Sequence, residues 1–366
     1  MSVYWNSRVK NLSPYVPGEQ PREKKLIKLN TNENPYPPSP LVIQALKKAA
    51  DDDLRLYPDP ACTELREAIA GRYGVKPEQV FTGNGSDEVL AFAFGAFFES
   101  GPDHLPVLFP DISYSFYPVY AGLWGIPYKT IPLADDFSID TDNYKIISGG
   151  VILSNPNAPT GIALSVDRIK QIAGFLKKNK KILIVDEAYI DFACPGEGLS
   201  IIPFCNECVN VLAVHTLSKS ASLAGLRAGF AIGSAALIEG LCRIRDSFNS
   251  YTMDRLALSG AAAAIRDEGY YKTVNKKIIA TRLRVSSSLA ALGFKVIPSQ
   301  ANFIFASPPP SSGISGQALY AALREKGVLV RHFNKPRITD YLRITIGRDA
   351  DMDVFLQICG EIIRRR

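Results

Sequence analysis

The feature of this chain that most restricts its fold is an alternation along its length: short, wholly apolar runs give way to longer amphipathic ones. Strands buried on both faces of a parallel sheet have no solvent side to mark with polar residues, whereas the helices covering them do. The runs predict strands over Val107–Phe109, Val151–Ser154, Ile182–Val185, Val209–Val214 and Ala228–Ile232. The longer stretches predict helices over Pro40–Ala50, Thr63–Tyr73, Ser86–Phe98, Val166–Lys177 and Lys272–Leu292. Ser165 and Asp167 stand where an N-cap and a first-turn acid belong.

A chain of 366 residues exceeds what one core can organise. The expected class is α/β, with a large domain built on a mostly parallel sheet and a smaller α/β domain. An arm over residues 1–38 contributes to the small domain, the large domain covers 39–265, and the small C-terminal domain covers 266–366. The last of these is suggested by Ala318–Lys326, Val328–Arg331, Tyr341–Thr345 and a closing helix from Asp351. Asn34–Pro38 should run extended across the surface, since residues before proline avoid the helical region. Pro308–Gly313 reads as a surface loop.

Composition narrows the function classes. Met1–Lys10 has no apolar core of a signal peptide, and Val89–Phe98 is too short to span a bilayer. The expectation is a cytoplasmic protein without a membrane partner. The net charge of +6 is mild, and Arg364, Arg365 and Arg366 form the only tight basic run, read as a solvated tail with no nucleic-acid partner. Among six cysteines, Cys205 and Cys208 form a C-x-x-C without a second pair at zinc spacing, so reduced thiols and no metal are expected.

Four segments carry chemistry, each at a strand end or a helix start, where open α/β sheets bind ligands. Gly83-Asn84-Gly85-Ser86-Asp87-Glu88 precedes an apolar helix and can offer free N–H groups to an anion. Glu88 occupies the third glycine position of a dinucleotide fingerprint, so that reading is excluded. Ser154-Asn155-Pro156-Asn157-Ala158-Pro159-Thr160-Gly161 follows a strand and can hold amide donors rigidly, though on composition alone a plain turn is the stronger reading. Asp186 ends the apolar run from Lys181, and a carboxylate there needs a positive partner. A protonated pyridine nitrogen would meet that need, as in pyridoxal 5'-phosphate (PLP); magnesium is the rival. Thr216-Leu217-Ser218-Lys219 follows another strand, and Ala224–Gly229 carries Arg227. Shielding from water would make the Lys219 amine a neutral nucleophile, while Ser218 and Arg227 suit a phosphate. Taken singly, Lys219 is no better than a surface lysine. The order of the four together gives it weight.

With these residues in place, the chain resembles the fold-type I PLP-dependent aminotransferases, class I/II, and within them the histidinol-phosphate branch. The resemblance spans nearly the whole sequence. It also takes in Asn11–Tyr15, Leu29–Pro35, Tyr57–Pro60, Ser113–Tyr117, Ala301–Phe303 and Leu342–Gly347. It implies that Lys219 forms a Schiff base with PLP and carries the substrate proton, that Asp186 pairs with the pyridine nitrogen, and that Tyr189 bonds the ring oxygen. Tyr114 would stack on the ring. Gly85, Ser86 and Asp87 would bring backbone amides to the phosphate, with Thr216, Ser218 and Arg227 beside them. Tyr57 would reach the cofactor of a second subunit, implying a homodimer with shared sites. Arg343 would clamp an anionic group of the substrate, with Tyr15, Asn32 and Arg331 as further candidates. One position departs from the pattern: Ala158 stands where asparagine usually precedes Pro-Thr-Gly, which leaves Asn157 or Tyr189 alone to hold the ring oxygen.

The implied reaction is a ping-pong transamination from a small phosphorylated amino donor, L-histidinol phosphate, to 2-oxoglutarate. A threonine-phosphate decarboxylase or a broad aromatic-amino-acid aminotransferase would share most of these motifs. A PLP-binding regulator would carry a DNA-binding segment, and no helix-turn-helix extension is legible.

Overall fold

The computed structural model describes residues 2–20 and 26–364; Arg365 and Arg366 of the basic run lie outside them. One short strand, β1 (Ile27–Lys28), belongs to the arm. Seven strands follow: β2 (Val80–Asn84), β3 (Val107–Pro110), β4 (Tyr128–Ile131), β5 (Gly150–Ser154), β6 (Leu183–Asp186), β7 (Val211–Thr216) and β8 (Ala228–Ile232). Five come near the end: β9 (Lys295–Ile297), β10 (Phe303–Ser307), β11 (Val328–Leu329), β12 (Arg331–His332) and β13 (Leu342–Thr345).

The seven strands form one sheet in the order β2-β8-β7-β6-β5-β3-β4. Only β8 runs against the rest, antiparallel to both β2 and β7. The apolar runs explain the central strands, because both faces of the sheet are covered. Leu153, Val185 and Ala213 pack into one core, and their neighbours Ile152, Ile184 and Leu212 into another on the opposite face. Register aligns the strand ends: Ser154 of β5 lies beside Asp186 of β6, and Thr216 of β7 faces Gly229 of β8. Their polar side chains therefore open on one edge.

A second, antiparallel sheet has the order β12-β13-β10-β9. It shares an apolar core with helices Glu268–Ala291, Gly316–Glu325 and Asp349–Arg364. β1 pairs parallel with β11, tying the arm to this side of the molecule. The long helix is also anchored by Arg282, only 1% exposed, whose guanidinium donates to the carbonyls of Phe192 and Ala301 at 2.7 Å each. Two carbonyls that would otherwise be buried without a donor are thereby satisfied.

Several expectations need correcting. β7 begins at Val211, because Val209 is 52% exposed. The predicted helix from Ser86 begins one residue earlier, at Gly85. Ser165 is the N-cap of its helix but makes no side-chain capping bond. Pro308 and Pro309 are buried, so only the end of that loop meets solvent. The strands β2 and β4 and the helices Ala235–Phe248 and Arg255–Arg266 had no counterpart in the sequence reading.

Candidate active site

A cavity of about 360 Å³ opens at the aligned strand ends, and Lys219, Asp186, Arg227 and Arg343 all line it. Lys219 follows β7 directly, and its Nζ donates to the carbonyl of Thr31 at 3.0 Å. The Asn34 amide holds the backbone in place by donating to the carbonyls of Lys219 and Ser220 at 3.1 and 3.4 Å. Burial brings the amine down to about pKa 8; the positive charge of Arg343 acts in the same direction, and Glu33 and Asp87 oppose it. About a tenth of such an amine is neutral at pH 7, far more than of an ordinary lysine, which supplies the nucleophile.

Asp186, at the end of β6, is 4% exposed. Burial raises its carboxyl to about pKa 6, against the bonds it accepts from Ala188 N at 3.2 Å and Tyr117 OH at 3.1 Å. Those are neutral donors, and among the described residues Asp186 has no ion-pair partner. A carboxylate so placed favours a cationic or protonated ligand group against it.

The anion cup is built where β8 meets the helix Gly85–Phe97. Gly229 lies so close to the helix start that a Cβ on it would come within 2.3 Å of Ser86 N. Gly85 has φ +80°, and a Cβ there would strike the Arg227 guanidinium at 2.6 Å. These two glycines bring the first N–H groups of the helix and Arg227 to one spot. Arg227 pairs with Asp87 at 3.0 Å and reaches Ser218 Oγ at 3.4 Å, while Tyr114 OH donates to Asp87 at 2.6 Å. The Asp87 side chain thus orients cations and phenols around the cup, leaving its backbone N–H for an anion.

On the other side of the cavity, Arg331 and Arg343 are register partners on the adjacent strands β12 and β13. Like charges directly opposite one another are destabilising, yet among the described residues neither has a carboxylate partner. Arg343 donates to the Asn30 carbonyl at 2.9 Å, lies against Phe303 and Phe333, and has a buried Nε with no acceptor. Burial, and secondarily Arg331, hold its pKa below the usual arginine range. Two convergent guanidinium groups without counter-ions make a receptor for an anion.

The structure gathers Tyr15, Asn32, Ser86, Asp87, Tyr114, Asp186, Tyr189, Thr216, Ser218, Lys219, Arg227, Arg331 and Arg343 around this one cavity. Tyr15 stacks on Phe116 at 4.2 Å. Tyr57 stands apart, 80% exposed and stacked on Tyr251 at 4.5 Å. Asn157 does not line the cavity: its Nδ2 donates to Ile112 O and Thr160 Oγ1, and its Oδ1 accepts from Ser113, so the amide is spent tying its loop to the one that follows β3. Ala158 faces the cavity in its stead. Asn32 lines the cavity but is 1% exposed, and its amide donates to Tyr189 and accepts from Thr345. The residues that sequence reasoning passed over are Tyr117, Asn34 and Thr345. All three lay within motifs quoted for the resemblance, but nothing local said what they touch. A larger cavity of about 540 Å³ lies behind β7, against the Glu187–His215 pair, and shares Thr216 with the first. Its charged groups are largely paired with one another: Glu268 lies 2.9 Å from Lys272 and 4.0 Å from Arg72, and Asp191 accepts from Ser220.

Comparison with known proteins agrees with this geometry. The model of the aminotransferase class I and II family matches residues 24–358. The chain is 53% identical over 363 residues to a histidinol-phosphate aminotransferase of Clostridium acetobutylicum, covering 99% of this chain and 100% of that one. It is 54% identical over 359 residues to histidinol-phosphate aminotransferase 1 of Bordetella parapertussis, covering 97% and 98%. The crystal structure of a Sinorhizobium meliloti histidinol-phosphate aminotransferase in complex with PLP superposes with a TM-score of 0.89 at 27% identity, covering 100% of this chain and 99% of that one.

Proposed function

The chain belongs to the class I and II aminotransferases, and we propose on that premise that it transfers the amino group of L-histidinol phosphate to 2-oxoglutarate with PLP as cofactor. The products are imidazole acetol phosphate and L-glutamate, a step of histidine biosynthesis. The observation that carries the reading is the Arg331–Arg343 pair, without counter-ions among the described residues, on the same cavity as Lys219 and Asp186. Two guanidinium forks suit a dianionic phosphate better than a single carboxylate. The test is to add L-histidinol phosphate and 2-oxoglutarate and follow glutamate, with phosphothreonine and aromatic amino acids as competing donors. Glutamate should form fastest from histidinol phosphate. Carbon dioxide released from phosphothreonine without glutamate would overturn the assignment.

The residues present fit the cofactor. The buried Asp186, which lacks a cation, would face the pyridine nitrogen and keep it protonated. The N–H groups of Gly85, Ser86 and Asp87, with Ser218 and Arg227, would hold the phosphate, and Thr216 and Tyr114 would flank the ring. Tyr189 would donate to the ring oxygen. PLP, once bound, supplies an aldehyde carbon for amines and a ring that withdraws electrons from the neighbouring carbon. Lys219 would hold the cofactor between turnovers, and its free Nζ would take up the proton from the donor Cα. Arg343 and Arg331 seat the donor phosphate so that this proton lies within reach, and Tyr15 covers the cavity mouth.

The exposed Tyr57 supports a homodimer in which this side chain completes the partner's cofactor site. No helix of the described residues is long and apolar enough to cross a membrane, which supports placing the reaction in the cytoplasm. The pairing of β1 with β11 supports assigning the arm over 1–38 to the small domain with 266–366, around a large domain of 39–265.

A pH dependence follows. Because burial lowers the Lys219 pKa to about 8, the reactive neutral amine dominates above that pH. Cofactor uptake by the ligand-free chain, followed as absorbance near about 420 nm, should rise about tenfold per pH unit below 8 and level off above it. A rate still climbing at pH 10 would mean that Lys219 titrates like an ordinary lysine.

A further inference from the structure

We propose that Asn32 is a positioning residue: held by Thr345, it aims the hydroxyl proton of Tyr189 at the ring oxygen of the bound cofactor. The inference rests on the PLP reading above and goes beyond it by assigning work to Asn32 and Thr345, both remote in sequence from Tyr189.

The argument is a count of donors. The backbone N–H of Asn32 donates to Thr345 Oγ1 at 3.0 Å. The single proton of Thr345 goes to Asn32 Oδ1 at 2.9 Å. This bond identifies the oxygen end of the amide, so the NH₂ end faces Tyr189 and donates to its hydroxyl at 3.0 Å. Asn302 fixes the backbone by donating to the Asn32 carbonyl at 3.0 Å. A phenol has one proton and accepts through its oxygen. The Tyr189 oxygen is already accepting, so its proton must point elsewhere, and among the described residues no acceptor takes it. Tyr189 lines the cavity, with its ring set edge-on against Phe303 at 5.1 Å. The proton is therefore presented to whatever the cavity holds.

The surroundings make this single hydroxyl important. Ala158 faces the cavity without an amide, and the Asn157 amide is engaged by Ile112, Ser113 and Thr160. Tyr189 is then the side-chain donor left for the ring oxygen. Position 32 also has φ +56°, a left-handed conformation that asparagine tolerates better than most residues. An amide is required there as well, since only an amide can accept from Thr345 and donate to Tyr189 at once. An aspartate of the same shape would accept from both and pull the phenolic proton away from the cavity.

The test titrates the visible absorption of the PLP-loaded enzyme with pH for the wild type, Asn32→Asp, Asn32→Ala, Tyr189→Phe and the double variant Asn32→Asp/Tyr189→Phe. A bond donated to the ring oxygen drains negative charge that would otherwise hold the neighbouring imine proton. Losing it should raise the midpoint by about half to one pH unit, the shift one neutral hydrogen bond can supply. The three single variants should shift upward alike, the double variant should match Tyr189→Phe, and kcat should fall while the donor KM stays within about twofold. If Asn32→Asp misfolds, Thr345→Val gives the same readout, because it frees the amide to turn. A midpoint unmoved in Asn32→Asp, or a shift persisting undiminished in the Tyr189→Phe background, overturns the inference and leaves Asn32 a purely structural residue. A wild-type protein with no titratable visible band overturns the cofactor reading instead.

Discussion

Replacing Lys219 with alanine should lower kcat by roughly 10⁴-fold or more, because one side chain serves as both nucleophile and proton carrier. The geometry explains why no neighbour can substitute. Among the described residues, Lys219 is the only lysine on the cavity wall that also holds Asp186 and the anion cup. Lys335 lines only the adjoining vestibule. Glutamate production should vanish, and borohydride should no longer fix PLP covalently to the chain, as read by intact mass. The phosphate cup would survive the substitution, so Lys219→Ala should still bind PLP reversibly. A reducible adduct at another lysine would refute the assignment of Lys219.

Much of this site was legible before any coordinates, for an identifiable reason. Asp186, Lys219 and Arg227 sit at or beside the ends of strands that are mostly apolar, and such strands announce themselves. β4, by contrast, is an edge strand of Tyr-Lys-Thr-Ile with three exposed residues, and β2 ends in Thr-Gly-Asn. Neither carries the signature of a doubly buried strand. Asn157 was misjudged because spacing alone does not say which way a loop amide turns. The link from Asn32 to Tyr189 and Thr345 was invisible, because hydrogen bonds across 157 and 313 residues leave no local pattern.

Arg343→Gln should raise the KM for the phosphorylated donor about 10- to 100-fold, the value of one or two charge-assisted bonds, and leave the KM for 2-oxoglutarate within a few-fold. Separate initial-rate series for the two half-reactions check this. Equal increases in both would show that Arg343 binds a carboxylate common to the two substrates. The structure adds a second signature. In the ligand-free chain Arg343 is opposed by Arg331, carries a buried Nε without an acceptor, and among the described residues has no carboxylate partner. Removing it relieves like-charge repulsion and a desolvated charge. Arg343→Gln should therefore be at least as resistant to thermal unfolding as the wild type while losing its hold on the donor, a trade that separates a binding arginine from a scaffolding one.

The bond between Asn32 and Thr345 also has a meaning in time. A ribosome delivers Asn32 early, Tyr189 and Lys219 midway, and Thr345 only near the end of its work. The sheet edge bearing Asp186 and Lys219 can assemble before then, with all seven of its strands already made. The threonine that turns the Asn32 amide is still missing at that stage. A growing chain can thus acquire its cofactor pocket well before it acquires the partner that orders the Tyr189 hydroxyl, and the last strand to emerge, β13, converts a pocket that holds the cofactor into one that tunes it.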